Sequence, residues 1–192
     1  MQVNELIERF RHGETDFSRA DLRNANLSGL DLRGINLHSA DLTDANLSNS
    51  DLTDADFSGA IMIRASLEGA ILKNTNLSST NLAAANIRKV IIENTDLRNA
   101  NLMYAHLCGN SLLRAKLDGA QMDWLCLVDT ELTDAQKSMI PSHALTGSGS
   151  ESEGYKSSES SLGTSYKGSG GMLGTSYKGS TPIDNKKKQD WC

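Results

Sequence analysis

Residues 20–49 read, five at a time, ADLRN ANLSG LDLRG INLHS ADLTD ANLSN. The third residue of every group is leucine: Leu22, Leu27, Leu32, Leu37, Leu42 and Leu47. Followed outward in both directions, the five-residue step runs from Phe17 to Leu132, and all 24 of its positions are apolar. Two residues before each centre stands Ala in 13 of the 24 cases and Thr in five. One residue before it stands Asp or Asn in 14, including the first nine in succession. An internal period this long decides the fold before any local propensity is consulted.

Neither regular backbone gives that period a use. On an α-helix a five-residue step turns through about 500°, so successive leucines would spread around every face. On a straight strand an odd step sends each leucine to the opposite side of the sheet. The pattern buries its leucines only if the chain turns a corner every five residues. The centre and the residue two before it then point inward, and the other three point out. If four such edges close a coil, positions 20 apart share an environment. The small inward position agrees: Ala20, Ala40, Ala60, Thr80, Ala100 and Ala120 form one column, and Ala25, Ala45, Ala65, Ala85, Ala105 and Leu125 the next. Bulkier Leu30, Ile35 and Val90 fall in the other two columns, among Ser, Thr and Asn.

The segments Ala20-Asp21-Leu22-Arg23-Asn24, Ala25-Asn26-Leu27-Ser28-Gly29 and Ala40-Asp41-Leu42-Thr43-Asp44 carry the A(D/N)LXX signature, and the chain resembles the pentapeptide-repeat family over residues 15–134. That resemblance implies an all-β fold, a right-handed quadrilateral β-helix of about six coils with 20 residues in each. It departs from the signature at Ile61, Ser66, Ile71, Ile91, His106, Ser111, Lys116, Gln121, Cys126 and Glu131, where Asp or Asn is expected. The last coils are therefore expected to be less regular.

Open coil ends need covers. Val3, Leu6, Ile7 and Phe10 recur at helical spacing before Gly13, which predicts a capping helix within residues 1–14. After Leu132, Thr133 to Ile140 reads as a short helix stopped by Pro141. Its Ala135, Met139 and Ile140 are expected to close the far end, giving a C-terminal cap over residues 135–145. Residues 146–192 change composition abruptly, with 11 Ser and 9 Gly from Thr146 onward, and read as a disordered tail. The tail repeats LGTSYKGS at residues 162–169 and 173–180. A duplicated flexible linker explains that repeat. So does a short recognition motif, with Tyr166 and Tyr177 as anchors and Lys167 and Lys178 as charges.

Composition sets the outer limits. The 192 residues carry a net charge of −5 and only 5% aromatic side chains, so no aromatic-anchored core and no general nucleic-acid binding is expected. No apolar run is long enough to span a bilayer. MQVNELIERF does not read as a signal peptide. An odd set of cysteines (Cys108, Cys126 and Cys192) fits a reducing, cytoplasmic setting. The family resemblance points to a cyanobacterial source, because the N-terminal segment is similar to the capping helix common among those members.

No catalytic constellation emerges, so an enzyme is not expected, and neither is a cofactor. His12, His38, His106 and His143 are dispersed, without HExxH, GxSxG or CxxC. His106 and Cys126 stack on successive coils, but Asn86 and Cys108 do not complete a metal site. Cys108 and Cys126 share a face two residues out of register, which makes a disulfide between them strained. The repeated Asp and Asn are read as turn chemistry, their side chains bonding the local backbone, rather than as calcium ligands.

The outward residues are more informative. Ile61, Ile63, Met103, Tyr104 and Trp124 flank one leucine column, with Tyr104 and Trp124 stacked directly, and contiguous exposed apolar surface marks an interface. Ile71, Ile91 and Leu113 gather on another face. The expected function is therefore a non-enzymatic protein–protein interaction scaffold, engaging a protein partner or a second copy of itself. The alternative comes from the resemblance: some relatives mimic DNA and protect DNA gyrase from quinolones. Residues 15–134 hold 16 acids against 10 bases, but interleaved arginines make the acidic field modest.

Overall fold

The computed structural model of the protein describes residues 1–142 and 144. Within them the chain winds as a right-handed quadrilateral β-helix, each side of the square being one five-residue repeat. Successive turns pair in parallel at a spacing of twenty residues, one rung per side: Asp16 with Asn36, Asp21 with Asp41, Asn26 with Asn46, and Asp31 with Asp51. The rungs are backbone hydrogen bonds. Phe17 N–H donates to Asn36 O at 2.8 Å, and Leu22 N–H to Asp41 O at the same distance.

Most corners are closed locally. Ala25 N–H donates to Leu22 O at 3.0 Å and Ala45 N–H to Leu42 O at 3.0 Å, so these centres open four-residue turns. The third residue of the turn has positive φ at 22 corners from Arg19 to Asp129, which is the signature of a type II turn. Gly, Asn or Asp fills 14 of these, the residue types that tolerate this backbone best.

The Asp or Asn before the centre performs the expected turn chemistry. All 14 accept a hydrogen bond from the N–H two residues on, from Asp16 with Ser18 at 3.0 Å to Asn101 with Met103 at 3.0 Å. Where Ile71 and Ile91 replace the acceptor, the backbone runs extended instead. There it forms the two regular strands, β1 (Ile71–Lys73) and β2 (Ile91–Glu93), paired in parallel.

Of the 24 centres, 22 are buried, and only Ile92 and Leu132 are partly open. Each buried leucine contributes about 1.5–3 kcal/mol, which holds the stack with only two aromatic centres, Phe17 and Phe57. Polar residues at the inward small position satisfy core carbonyls. Thr75 Oγ1 donates to Leu52 O at 2.8 Å and Thr80 Oγ1 to Phe57 O at 2.9 Å.

One side of the stack carries a seam. The ladder Asp31, Asp51, Ile71, Ile91 does not continue to Ser111 among the described residues, and it resumes between Ser111 and Glu131. Buried Asn110 fills the gap. Its Oδ1 accepts from Val90 N–H at 2.9 Å, and its Nδ2 donates to Ile87 O at 2.6 Å and Leu107 O at 2.7 Å. Outside the seam, Glu93 pairs with Lys73 at 3.4 Å and with Arg114 at 3.2 Å.

The N-terminal cover is α1 (Val3–Arg11), with Leu6 fully buried and Val3, Ile7 and Phe10 packed against the core. Arg9 stacks 5.3 Å over the Phe17 ring and pairs with Glu14, fastening the helix to the first coil. Gly13 ends the helix with φ +91°, its N–H donating to Phe10 O at 2.9 Å.

The C-terminal cover, α2 (Asp134–Met139), corrects in part the expectation that Ala135, Met139 and Ile140 close the shaft. Ala135 and Met139 are exposed, while Ile140 is half-buried and packs against the core. The buried residue is Gln136, whose Nε2 donates to Leu112 O at 2.7 Å and Ala115 O at 3.2 Å. The last coil presents carbonyls without a following rung, and an amide satisfies them where an apolar side chain cannot. Thr133 and Gln136 also form a reciprocal capping box.

Candidate interaction surface

The corner position two residues after the centre projects a side chain outward from a backbone of positive φ. On the side centred on Leu42, Met62, Leu82, Leu102 and Met122, this corner holds Asp44, Arg64, Ala84, Tyr104 and Trp124, with φ of 59°, 57°, 57°, 60° and 57°. Asp44 and Arg64 close the early part of the column as a bidentate ion pair, with Arg64 Nε 2.7 Å from Asp44 Oδ1. The later part is apolar. Tyr104 is 55% exposed and Trp124 is 51% exposed, one turn apart and linked by the rung from Tyr104 N–H to Asp123 O at 3.1 Å.

This backbone is uncommon for a bulky residue and costs of order 1–3 kcal/mol in strain. Asn or Gly would occupy the same corner without that cost, so the aromatic side chains at residues 104 and 124 are held against a local preference. In the adjoining column Ile63 and Met103 are half-buried, with Ala83 between them. Ile61 is 41% exposed, but its own column runs Asp41, Ile61, Asn81, Asn101. The expected stripe therefore resolves into a compact patch around Met103, Tyr104 and Trp124. Ile63 lies at its N-terminal edge, and Ile61 stands apart across the side. Tyr166, Lys167, Tyr177 and Lys178 lie outside the described residues.

The seam carries a second apolar group, Ile91 and Leu113, each about half exposed. The sequence also carries two further signals: the Thr-x-x-Gln spacing of the capping box, and an Asn at the inward position of residue 110, which the other repeats fill with Ala, Ser, Thr or an aliphatic side chain.

A third cluster lies on the side centred on Ile87, Leu107 and Leu127. His106 and Cys126 pair as stacked neighbours, as their spacing predicts. The cysteine side chains bridge their two-residue offset, and Cys108 Sγ stands 2.8 Å from Cys126 Sγ. The offset therefore does not keep the two sulfurs apart. Among the described residues no group of three His, Cys, Asp or Glu is placed to hold a metal ion. None of their helices is long and apolar enough to cross a membrane.

Three arginines of the shaft pair with the carboxylate two residues before them. Arg23 binds Asp21, Arg33 binds Asp31, and Arg98 binds Asp96, each within the same repeat. These guanidinium groups hold the Asp21, Asp31 and Asp96 carboxyls below the usual carboxylate range, chiefly by direct side-chain hydrogen bonds, and Arg64 does the same to Asp44.

Comparison with known proteins agrees with this geometry. The family described as pentapeptide repeats matches in eight copies, over residues 12–38, 40–78, 50–88, 72–102, 80–109 and 95–134. The chain belongs to the pentapeptide-repeat family. A pentapeptide-repeat protein (Rfr23) from the cyanobacterium Cyanothece 51142 is 25% identical, with a TM-score of 0.60; the match covers 68% of this chain and 99% of that one. A pentapeptide-repeat protein of the Arabidopsis thaliana thylakoid lumen is 27% identical, covering 58% of this chain and 74% of its own, with a TM-score of 0.43. QnrB1, a plasmid-mediated fluoroquinolone resistance protein, is 21% identical with a TM-score of 0.35, covering 69% of this chain and 80% of its own. No curated protein matches the chain. Repeats of this family build structural and interaction surfaces, and in this chain the surface departs from the consensus at nameable residues.

Proposed function

We propose that this pentapeptide-repeat protein is a non-enzymatic scaffold that binds a protein partner through the Met103–Tyr104–Trp124 patch, with Ile63 at its margin and Ile61 across the same side. The observation that carries the reading is the pair of half-exposed aromatic side chains standing on positive-φ corners that Asn or Gly would fill without strain. Strain retained at an exposed position is a signature of selected use. Aromatic residues on a rigid support are also the usual anchors of protein interfaces. A cytoplasmic location and an anchoring role for the tail tyrosines belong to the same proposal.

The DNA-mimic alternative needs an unneutralised acidic rod, and the arginine–aspartate pairs along the early coils weigh against it. Absence of supercoiling inhibition at micromolar protein would remove it.

The test of the scaffold reading is binding by Tyr104→Ala and Trp124→Ala variants, measured beside the wild type by sedimentation and by capture of the same partner. Both variants are expected to fold and to lose association. Unchanged association in both would remove the patch from the account. Loss of self-association alone would make a second copy of the chain the partner.

A further inference from the structure

The first coil is finished unevenly beneath α1. On the side centred on Leu32, three rungs tie it to the second coil: Leu32 N–H donates to Asp51 O, Asp51 N–H to Leu30 O and Gly34 N–H to Thr53 O, each at 2.9 Å. The opposite edge of the same residues has no coil under it. Asp31 N–H, Asp31 O and Arg33 O are the groups that a further coil would engage, and none of them makes a hydrogen bond among the described residues. The neighbouring edge shows that such a group draws a donor, since the Met1 amino group donates to Asp21 O at 2.9 Å. The edge at Asp31 instead borders a groove of about 600 Å³, walled by Ile7, Phe10 and Arg11 of α1 and by Leu30, Leu32 and Arg33 of the coil. Ile7, Phe10 and Leu30 are half-buried, whereas Ser50 and Ala70, the inward residues above Leu30, are fully buried. An unpaired edge beside an apolar wall is what an added strand requires: main chain for affinity and a pocket for its alternate side chains.

We propose that this groove binds an extended segment of a protein partner, added in parallel beneath residues 30–34 as one more side of the shaft. The shaft's own register sets the chemistry of that segment. An anchor residue donates its N–H to Asp31 O, the residue two before it accepts from Asp31 N–H, and the residue two after it donates to Arg33 O. The anchor side chain faces inward against Ile7 and Phe10 and is apolar; the residue two before it also faces inward, beneath Leu30, and is small. The residue directly after the anchor stands under Arg33 in the outward column and is acidic. Charge complementarity selects it: in this same column Lys73 and Glu93, on successive coils, pair at 3.4 Å, and Arg11 adds a second base to the groove. No residue of the aromatic patch takes part, so the two proposals stand or fall separately.

The test uses the full-length protein and a fluorescent peptide with the core Ser-Ala-Asn-Leu-Glu-Asn-Ser, followed by anisotropy. Saturable binding is expected. Methylating the leucine nitrogen, which removes the donor to Asp31 O, should weaken it about tenfold. Replacing the glutamate with lysine should weaken it severalfold, and Arg33→Glu should reverse that preference, a rescue that a misfolded variant could not give. In amide exchange, Asp31 N–H should exchange freely in the protein alone and slow about tenfold at saturating peptide. Absence of saturable binding overturns the proposal, as does binding indifferent to both methylation and charge reversal. Slow exchange at Asp31 before peptide is added also overturns it: protection that grows with protein concentration would assign the edge to a second copy, and protection independent of concentration to a segment of the same chain.

Discussion

The first nine repeats and the last nine are built on one plan and finished differently. From Asp16 to Asp56 every centre is preceded by Asp or Asn, every one of these accepts its local N–H, and Arg23, Arg33 and Arg64 pair with Asp21, Asp31 and Asp44. From Ile91 onward only Asp96 and Asn101 keep the acceptor. The seam at Asn110, the half-exposed Ile91 and Leu113, the aromatic corners at Tyr104 and Trp124, and the two close sulfurs all fall in that later stretch. The consensus positions maintain the shaft. Departures from it give the surface individual chemistry at a local cost in regularity.

The comparison breaks most sharply in the core. Leu52 and Ile92 are centres on the same side, two coils apart, but Leu52 is fully buried and Ile92 is not. Leu52→Ala is expected to lower unfolding stability by about 3 kcal/mol and Ile92→Ala by about 1 kcal/mol, measured in urea. Equal losses would show the two halves to be equally packed. Amide exchange sharpens the point: Leu52 and Asp54, whose N–H groups donate to Ile71 O and Lys73 O at 2.9 Å, should exchange more slowly than Ile92 and Asn94.

Next in size is the seam. Asn110→Ala removes one acceptor and two donors at once, leaving Val90 N–H and the Ile87 and Leu107 carbonyls without that side chain. A loss of about 2 kcal/mol is expected. No loss would show that water or the backbone replaces the amide.

A gain should follow from restoring a preferred corner residue. Ala84 has φ 57° and is exposed. Ala84→Asn is expected to stabilise by about 1 kcal/mol, since Asn tolerates this backbone better. Destabilisation would mean that the corner is not strained.

The smallest effect is electrostatic. Arg33, Arg64 and Arg98 hold Asp31, Asp44 and Asp96 below their ordinary values. A carboxylate depressed in the folded state stabilises fully above its unfolded pKa, and that contribution is lost as pH falls through the folded value. The melting temperature should therefore be flat above about pH 5 and decline below about pH 4. Arg98→Gln should flatten the decline slightly; an unchanged acid limb would show that this pair carries none of it.

The shaft was legible because its period is a covalent fact: an apolar residue, mostly leucine, every fifth position admits one backbone that buries nearly all of them. The turn role of Asp and Asn was legible for the same reason, since a side chain that bonds the backbone two residues on needs no tertiary context. The far end was not. Hydrophobic counting chose Ala135, Met139 and Ile140, of which only Ile140 packs against the core; the open coil presented carbonyls, and Gln136 met them. The aromatic pair could be placed on one side by counting in twenties, whereas the strain beneath it lies in φ, which no spacing reveals. The offset of Cys108 and Cys126 was counted correctly, but side-chain reach closes it.

The most direct test is the urea midpoint of the double variant Tyr104→Asn/Trp124→Asn, with partner capture followed on the same sample. Relief of two strained corners should offset the lost half-buried aromatic area, so the midpoint should stay within about 1 kcal/mol of wild type while capture disappears. A fall of several kcal/mol, or capture that persists, would show that these side chains serve the shaft and not a partner.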